Sequence, residues 1–287
     1  MKRVLITGKN SYLGTHVKER LERDPDHYQV EELDLKDGSW KEKDFSGYDC
    51  IYHVAGLAHS APKDSEKDLY YQVNTELAYQ VAKKACEQGV SQFIFMSSII
   101  IYGKGSMGTR RIITKETPVH PDNFYGDSKW QAEQKLQTLR KENFHIAILR
   151  PPMIYGKGSK GNYPKLAAFA RKTRIFPSLE NERSMCYVEN LAAFVQCAID
   201  RNLEGIYFPQ NKEPVSTKEL VRQIAACHHH KVLFVGVFNP LLKRLRNHPI
   251  VSKAFGSLVI DPSLSTYDFD YQEVDLKTSI IVTESEE

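Results

Sequence analysis

The sequence predicts an α/β fold, a parallel sheet covered on both faces by helices, with length enough for a second, smaller lobe. Three observations carry that expectation. Short apolar runs alternate with amphipathic stretches through the first half of the 287 residues, which is the pattern of βαβ units. A glycine-bearing turn joins the first apolar run to the first amphipathic stretch. From about Pro151 the pattern changes, with Pro151, Pro152 and the glycines of residues 156–161 close together.

In order, residues 4–7 read as a strand, 12–22 as a helix, 29–33 as a strand and 49–55 as a buried strand. Residues 69–88 read as one long helix, with Leu77, Val81 and Ala85 at helical spacing. A strand at 93–97, a helix at 127–141 and a strand at 146–150 complete the first half. Apart from 29–33, which carries Glu31 and Glu32, the strands are mostly apolar, as in a sheet buried on both sides. Beyond them, 163–172, 189–200 and 217–227 read as helices. The segment 233–261 is apolar and basic, with Phe234, Phe238, Leu241, Leu242, Lys243, Arg244 and Arg246. A lid or a helix packed on the core suits it better than a helix lying on a membrane, because its basic residues are few. The acidic tail 284–287 reads as disordered.

Composition narrows the class. Hydrophobic content of 41% and charged content of 26% are ordinary for a globular protein. A formal charge of +3 is too small to suggest nucleic acid. No apolar run approaches the roughly 20 residues of a membrane span, and the N-terminal run is too short for a signal peptide. The five cysteines are scattered and lack a Cys-x-x-Cys pair, which fits free thiols in a reducing cytoplasm. His228-His229-His230 reads as a polar turn, since no Cys or acid stands at metal-site spacing nearby, and no metal is expected.

The turn Thr7-Gly8-Lys9-Asn10-Ser11-Tyr12-Leu13-Gly14 has the order of a dinucleotide phosphate site. Gly8 suits positive φ at a tight turn, and Gly14 lets the helix pack closely on the sheet. The helix start then offers free N–H groups and a positive dipole to a pyrophosphate. Asp34, twenty residues beyond Gly14, stands where an acid accepts from an adenosine ribose and disfavours a 2′-phosphate. Lys36 welcomes that phosphate, so NAD is expected with NADP left open.

Tyr125 and Lys129 stand four residues apart at a helix start and share one face. An ammonium beside a phenol lowers the phenol pKa towards neutrality and makes it a usable base. Alone, such a pair is a surface contact more often than a catalytic one.

Its company makes the case. Thr7-Gly8-x-x-Ser11-x-x-Gly14, His53-Val54-Ala55-Gly56, Asn74, Ser97-Ser98-x-x-x-Tyr102-Gly103, Tyr125-x-x-x-Lys129, Arg150-Pro151 and residues 183–191 follow in one order. The chain resembles an extended short-chain dehydrogenase/reductase of the nucleotide-sugar epimerase/dehydratase family, the UDP-glucose 4-epimerases above all, and is similar to the shorter NDP-sugar 4-ketoreductases. The motifs cover about residues 3–191.

The resemblance implies a doubly wound Rossmann domain over residues 1–150. A smaller C-terminal lobe over most of 151–287, interleaved with it, would bind a nucleotide sugar. It implies Tyr125 as acid/base, with Lys129 lowering its pKa and holding the nicotinamide ribose. Ser98 would bond the reacting sugar oxygen; read alone it is a strand-end cap. Asn10, Tyr12 and Leu13 would meet the pyrophosphate, and Val54, Ala55, Gly56 and Pro151 would pass close to the cofactor. Asn74 would position that wall, or simply start a helix. Arg183 would grip the substrate diphosphate; without the family, a surface salt bridge weighs the same. A homodimer through helices 69–88 and 127–141 is expected on resemblance.

Three departures matter. Ser11 replaces the middle glycine, and its side chain would crowd the pyrophosphate. Ile99 and Ile100 follow Ser98 where 4,6-dehydratases of the family carry an acidic pair, which excludes dehydration. Met153 stands where many relatives have an asparagine on the substrate, so the sugar contacts must differ. The expectation is 4-epimerisation of a UDP-hexose or UDP-N-acetylhexosamine. The alternative is NAD(P)H-dependent reduction of a 4-keto sugar, and a non-catalytic dinucleotide sensor stands behind both.

Overall fold

The structure of the protein is a computed structural model that describes residues 1–58, 64–246 and 248–285. Its elements begin with β1 (Lys2–Thr7), α1 (Tyr12–Leu21), β2 (Tyr28–Leu33), β3 (Cys50–His53) and α2 (Lys67–Tyr70). A π-helical stretch, Tyr71–Leu77, leads into α3 (Ala78–Glu87) and β4 (Gln92–Met96). There follow β5 (Ile112–Ile113), α4 (Phe124–Gln137), β6 (His145–Leu149), β7 (Met153–Tyr155), α5 (Asn162–Ala170), β8 (Ile175–Pro177) and β9 (Met185–Tyr187). The remainder is α6 (Val188–Asp200), β10 (Gly205–Tyr207), α7 (Thr217–Cys227), β11 (Leu233–Val235), α8 (Asn239–Arg244), α9 (Pro249–Phe255), β12 (Val259–Ile260) and α10 (Leu276–Glu284).

The chain divides into two units. Met1–Gly103, Val119–Pro151 and Leu191–Pro209 make the first; Lys104–Pro118, Pro152–Asn190 and Gln210–Glu287 make the second. In the first unit six strands run in the order β10-β6-β4-β3-β1-β2. Every pairing is parallel. β3 and β4 are buried along their whole length, which explains their mostly apolar sequences, broken only by His53 and Gln92 at their ends. One core cluster joins Leu5, Ile51, Phe93 and Phe95 of the strands to Val81 of α3 and Leu136 of α4. Each such side chain contributes about 1.5–3 kcal/mol on burial. The chain leaves β1 for β2 on one side and later returns to β3 on the other. Such a reversal opens a crevice at the carboxyl ends of the strands, where ligands of α/β sheets bind.

Three details of this unit differ from the sequence reading. The helix at 69–88 is interrupted by the π-helical stretch. α4 begins at Phe124, three residues early, because the Asn123 side chain accepts from Gly126 N at 2.8 Å and caps it there. The sixth strand, β10, is three residues long, too short for its period to show in sequence.

The second unit holds three parallel two-stranded pairs, β5 with β12, β7 with β9 and β8 with β11. α7 packs against α5 and α10. The end of α10 corrects the disordered acidic tail. Glu284 is only 5% exposed, accepts from Tyr163 and Arg171 at 3.0 and 2.9 Å, and pairs with His228 at 3.0 Å. Residues 286–287 lie outside the described ones. The segment 233–261 is not one helix but β11, α8, α9 and β12, with residue 247 outside the description. Among the described residues no helix is long and apolar enough to cross a membrane, and no three or more His, Cys, Asp or Glu gather as a metal site. All five cysteines are free.

Candidate active site

β1 runs directly into Gly8, whose φ is +91°. A Cβ there would lie 3.0 Å from Ala55 N, so the turn takes glycine for both its conformation and its closeness to the chain after β3. Leu33 O fixes the turn by accepting from Gly8 N at 2.9 Å. Asn10 is left-handed, at φ +59°, and its N–H donates to Glu32 at 3.1 Å. Ser11 does not project outward as expected: its hydroxyl turns back to accept from Gly14 N at 3.2 Å and caps α1. A Cβ on Gly14 would lie 3.1 Å from Ile6 Cγ2, which is the close helix–sheet packing anticipated.

Tyr12 and Leu13 open α1, whose first turn carries no acid, so the positive end of its dipole is unopposed within the helix. Asp34 follows β2, its Oδ1 accepting from Lys36 N at 3.0 Å. Val54, Ala55 and Gly56 follow β3, and Gly56 is exposed. A Cβ on Gly56 would lie 3.0 Å from Asn74 Oδ1 and 3.1 Å from Lys129 Nζ. Two bare backbone approaches and an acid-free helix start fit a dinucleotide.

α4 carries Tyr125 and Lys129 in its first turns. A Cβ on Gly126 would lie 2.8 Å from Ile100 O, so this glycine lets α4 rest on the turn after β4 and brings Tyr125 to Ser98. The Ser98 hydroxyl lies close enough to the Tyr125 phenol to oppose the rise of its pKa, and it accepts from Ile100 N at 3.3 Å. It is therefore both a local cap and the partner of the phenol. Lys129 Nζ donates to Met96 O at 2.8 Å and lies 4.7 Å from the Phe95 ring centroid.

The charges do not arrange themselves as the pair alone suggested. Burial pushes the Tyr125 phenol up to about 12, with neighbouring Tyr70 adding to the rise and the Ser98 hydroxyl opposing it. Burial also lowers Lys129 to about 8, against the pull of Glu133. Lys129 by itself does not bring Tyr125 towards neutrality: its ammonium is engaged by a carbonyl, and desolvation of the phenol dominates.

Asn74, already named from the sequence, and Thr75 and Ser128, which were not, hold these side chains. Asn74 is wholly buried; its Oδ1 accepts from Leu57 N at 2.8 Å and its Nδ2 donates to Ser128 Oγ at 3.0 Å. Thr75 Oγ1 donates to Ser128 O at 2.7 Å. Two adjacent residues reach one turn of α4 because the π-helical stretch shifts the helix register there. No sequence signature announces such a stretch.

Behind Lys129, the Arg150 guanidinium donates to both oxygens of Glu133 at 2.5–3.1 Å and to Tyr102 OH at 2.5 Å. Ser97 donates to the same carboxylate. Glu133 lies one turn beyond Lys129, and that spacing was the legible signal for it. Pro151 is buried, and its carbonyl accepts from Ile99 N at 3.1 Å. Ile99 and Ile100 lie in the 3₁₀ turn after Ser98.

In the second unit Met153 is half-buried on β7, in register with Met185. Arg183 is neither exposed nor paired with a carboxylate. Its Nη2 donates to the carbonyls of Lys253, Ala254 and Gly256 at 3.1, 2.8 and 3.2 Å, at the end of α9. Its Nε has no partner among the described residues, and burial lowers its pKa to about 10.

Known proteins share this architecture. Over 248 residues the chain is 28% identical to a UDP-glucose 4-epimerase of Vibrio cholerae, covering 78% of this chain and 75% of that protein. It is 27% identical to an N-acetyl-alpha-D-glucosaminyl-diphospho-ditrans,octacis-undecaprenol 4-epimerase of Escherichia coli O157:H7, covering 80% and 73%. A UDP-N-acetylglucosamine 4-epimerase from Bacillus cereus has the same fold, with TM-score 0.74, 17% identity, and 98% and 97% of the two chains covered. The sequence model of the NAD dependent epimerase/dehydratase family matches residues 4–207. With the glycine turn, the Ser98–Tyr125 contact and Lys129 one turn on, this match over most of the chain means that the protein belongs to the NAD dependent epimerase/dehydratase family.

Proposed function

We propose that the protein is an NAD-dependent 4-epimerase of a UDP-hexose or UDP-N-acetylhexosamine. The observation that carries this reading is the closeness of Ser98 to Tyr125, with Lys129 buried one turn along. The two relatives described above are sugar 4-epimerases by name, which supports it. The apolar Ile99 and Ile100 support a reaction without dehydration, since neither transfers a proton.

Gly8, Asn10, Ser11, Tyr12, Leu13 and Gly14 would hold the pyrophosphate, and Asp34 the adenosine ribose. Val54, Ala55, Gly56, Asn74 and Pro151 would form the wall beneath the nicotinamide. When bound, oxidised NAD supplies a hydride acceptor and a positive charge. Tyr125 takes the proton of the sugar 4-hydroxyl while Ser98 holds that oxygen. The 4-keto sugar would turn over, and Tyr125 would return the proton to the oxygen that Ser98 holds, with NAD taking the hydride from C4 and giving it back to the other face. Lys129, with a pKa of about 8, is charged at neutral pH and favours the phenolate once positive charge approaches from the ligand side. Arg183 would meet the substrate diphosphate through its unpaired Nε edge, and Met153 would line the sugar.

Incubating UDP-glucose, UDP-galactose and their N-acetyl counterparts with the protein, followed by chromatography, tests the reading. No interconversion of any of them would sink it. A 4-ketoreductase is the second reading. It is favoured by the single 3₁₀ turn, Ser39–Lys41, that fills the chain between β2 and β3. Tightly held NAD in the purified protein supports epimerisation; an empty protein that turns over a 4-keto sugar with added NADPH supports reduction. A homodimer through the 69–88 and 124–137 helices fits the exposed Leu69, and sedimentation checks it. The five free cysteines support a reducing compartment.

A further inference from the structure

The segment 231–260 holds five Lys and Arg and no Asp or Glu. Strand pairing puts a second such segment beside it. β8 and β11 are parallel, with Ile175 opposite Leu233, and residues 157–179 carry six Lys and Arg and again no acid. Together the two segments hold 11 of the 39 basic residues and none of the 36 acidic ones, leaving 28 basic against 36 acidic in the rest of the chain. One basic residue, Arg171, is paired internally with Glu284. A nearly neutral protein thus concentrates positive charge on one region of its second unit.

The same region exposes apolar side chains. Phe176 is its buried anchor, with ring centroids 5.6 Å from Phe255, 6.0 Å from Phe169 and 6.2 Å from Phe234. α9 turns Val251 and Phe255 inward. α8 does the opposite. Phe238, Leu241 and Leu245, at spacings of three and four, lie on one helix face and are 46%, 58% and 43% exposed. Leu233 and Ile175, opposite each other in the β8–β11 pair, are also exposed, as are Val237 and Ile250. Lys243, Arg244, Arg246 and His248 are exposed among them. The sequence alone favoured a packed helix because its basic residues looked few. The strand pairing brings a second basic segment beside it, and of the two helices only α9 is packed.

We propose that this basic, apolar face of the second unit docks the protein on an anionic lipid bilayer, with α8 entering the headgroup region. Exposed apolar side chains beside Lys243, Arg244 and Arg246, on two segments that carry no acid of their own, match the requirements of that surface, which needs no shape complementarity. A second copy of the chain is a poor occupant, because like charge would meet like. Docking is independent of the reaction above and is read without it.

The full chain is floated on a density gradient with vesicles of phosphatidylcholine, alone or with roughly one lipid in three replaced by phosphatidylglycerol. It should rise with the anionic vesicles and at least about a hundredfold less with the neutral ones, three basic side chains near the surface being worth about fivefold each. Phe238→Ser with Leu241→Ser should lower binding at least about fivefold, and so should Lys243→Gln, Arg244→Gln and Arg246→Gln together. Both variants should keep the parent melting temperature and its turnover of soluble nucleotide sugar. A chain that stays at the bottom with anionic vesicles overturns the proposal, and so does one that binds heparin or DNA instead. Flotation unchanged by the Phe238/Leu241 pair overturns it too, since adhesion would then be by charge alone.

Discussion

Lys129 in the first unit, buried, and Arg183 in the second, half-buried, are both cations held by main-chain carbonyls. They differ in how the chain reaches those carbonyls. Lys129 meets Met96 O across one helix–strand contact of a regular layer. Arg183 meets three carbonyls at the end of a seven-residue helix, about seventy positions along the chain. Arg150, by contrast, has a carboxylate of its own in Glu133. Burial depresses the pKa of Lys129 and of Arg183. A buried cation without its own full ion pair is where an anionic or polar ligand gains most.

The largest test of this likeness is at Tyr125. Tyr125→Phe should lower turnover by about 10³-fold, as loss of an acid/base group does, while NAD released on denaturation stays at the parent level. Undiminished turnover would remove Tyr125 from the chemistry and leave Lys129 as a structural cation like Arg150. Next is Glu133→Gln. It strands the Arg150 charge in the core and should cost about 3–5 kcal/mol of stability in urea unfolding. A loss below about 1 kcal/mol would mean that Arg150 finds other partners.

Arg183→Ala should cost about 2–3 kcal/mol through the lost charged hydrogen bonds at α9 and raise KM for the nucleotide sugar about tenfold, with kcat little changed. An unchanged KM would make Arg183 a brace for α9 alone and end the likeness to Lys129. Gly56→Ala should come next. Its methyl would press on Asn74 and Lys129, at 3.0 and 3.1 Å, and lower activity about tenfold by displacing them a few tenths of an ångström, with the melting temperature little changed.

The smallest effect near neutrality concerns His53. Burial lowers its pKa to about 3, with Lys129 adding to the fall. Its Nδ1 is paired with Thr7 Oγ1 at 2.9 Å, and its Nε2 has no partner among the described residues. Below its ordinary value of 6.5 the unfolded chain binds the proton more readily, so stability falls as pH drops from there towards 3. His53→Gln should flatten that part of a melting-temperature profile against pH; an unchanged slope would assign it to other groups.

Legibility in the sequence follows regularity. β1, β3 and β4 were readable because a sheet covered on both faces demands mostly apolar runs. The glycine turn was readable because positive φ and close approach leave one residue type. Ser98, Tyr125 and Lys129 were found as a set, yet their electrostatics were not: the Met96 carbonyl that engages Lys129 and the burial that raises Tyr125 come from packing. The π-helical stretch behind Asn74 has no pattern of its own. Arg183 and α9 were illegible together, since nothing local marks a helix end that a residue seventy positions away will cap.

By itself, then, the sequence determined the α/β class, the glycine turn after β1 and the set of residues proposed to handle the proton, because each depends on local periodicity or on a residue type no other can replace. Tertiary structure decided what lies around them. It turned Ser11 inward as a helix cap, gave Glu284 a buried site instead of a loose tail, and placed two acid-free basic segments side by side. Those outcomes depend on contacts between distant parts of the chain, whose free energy appears only when the fold brings them together.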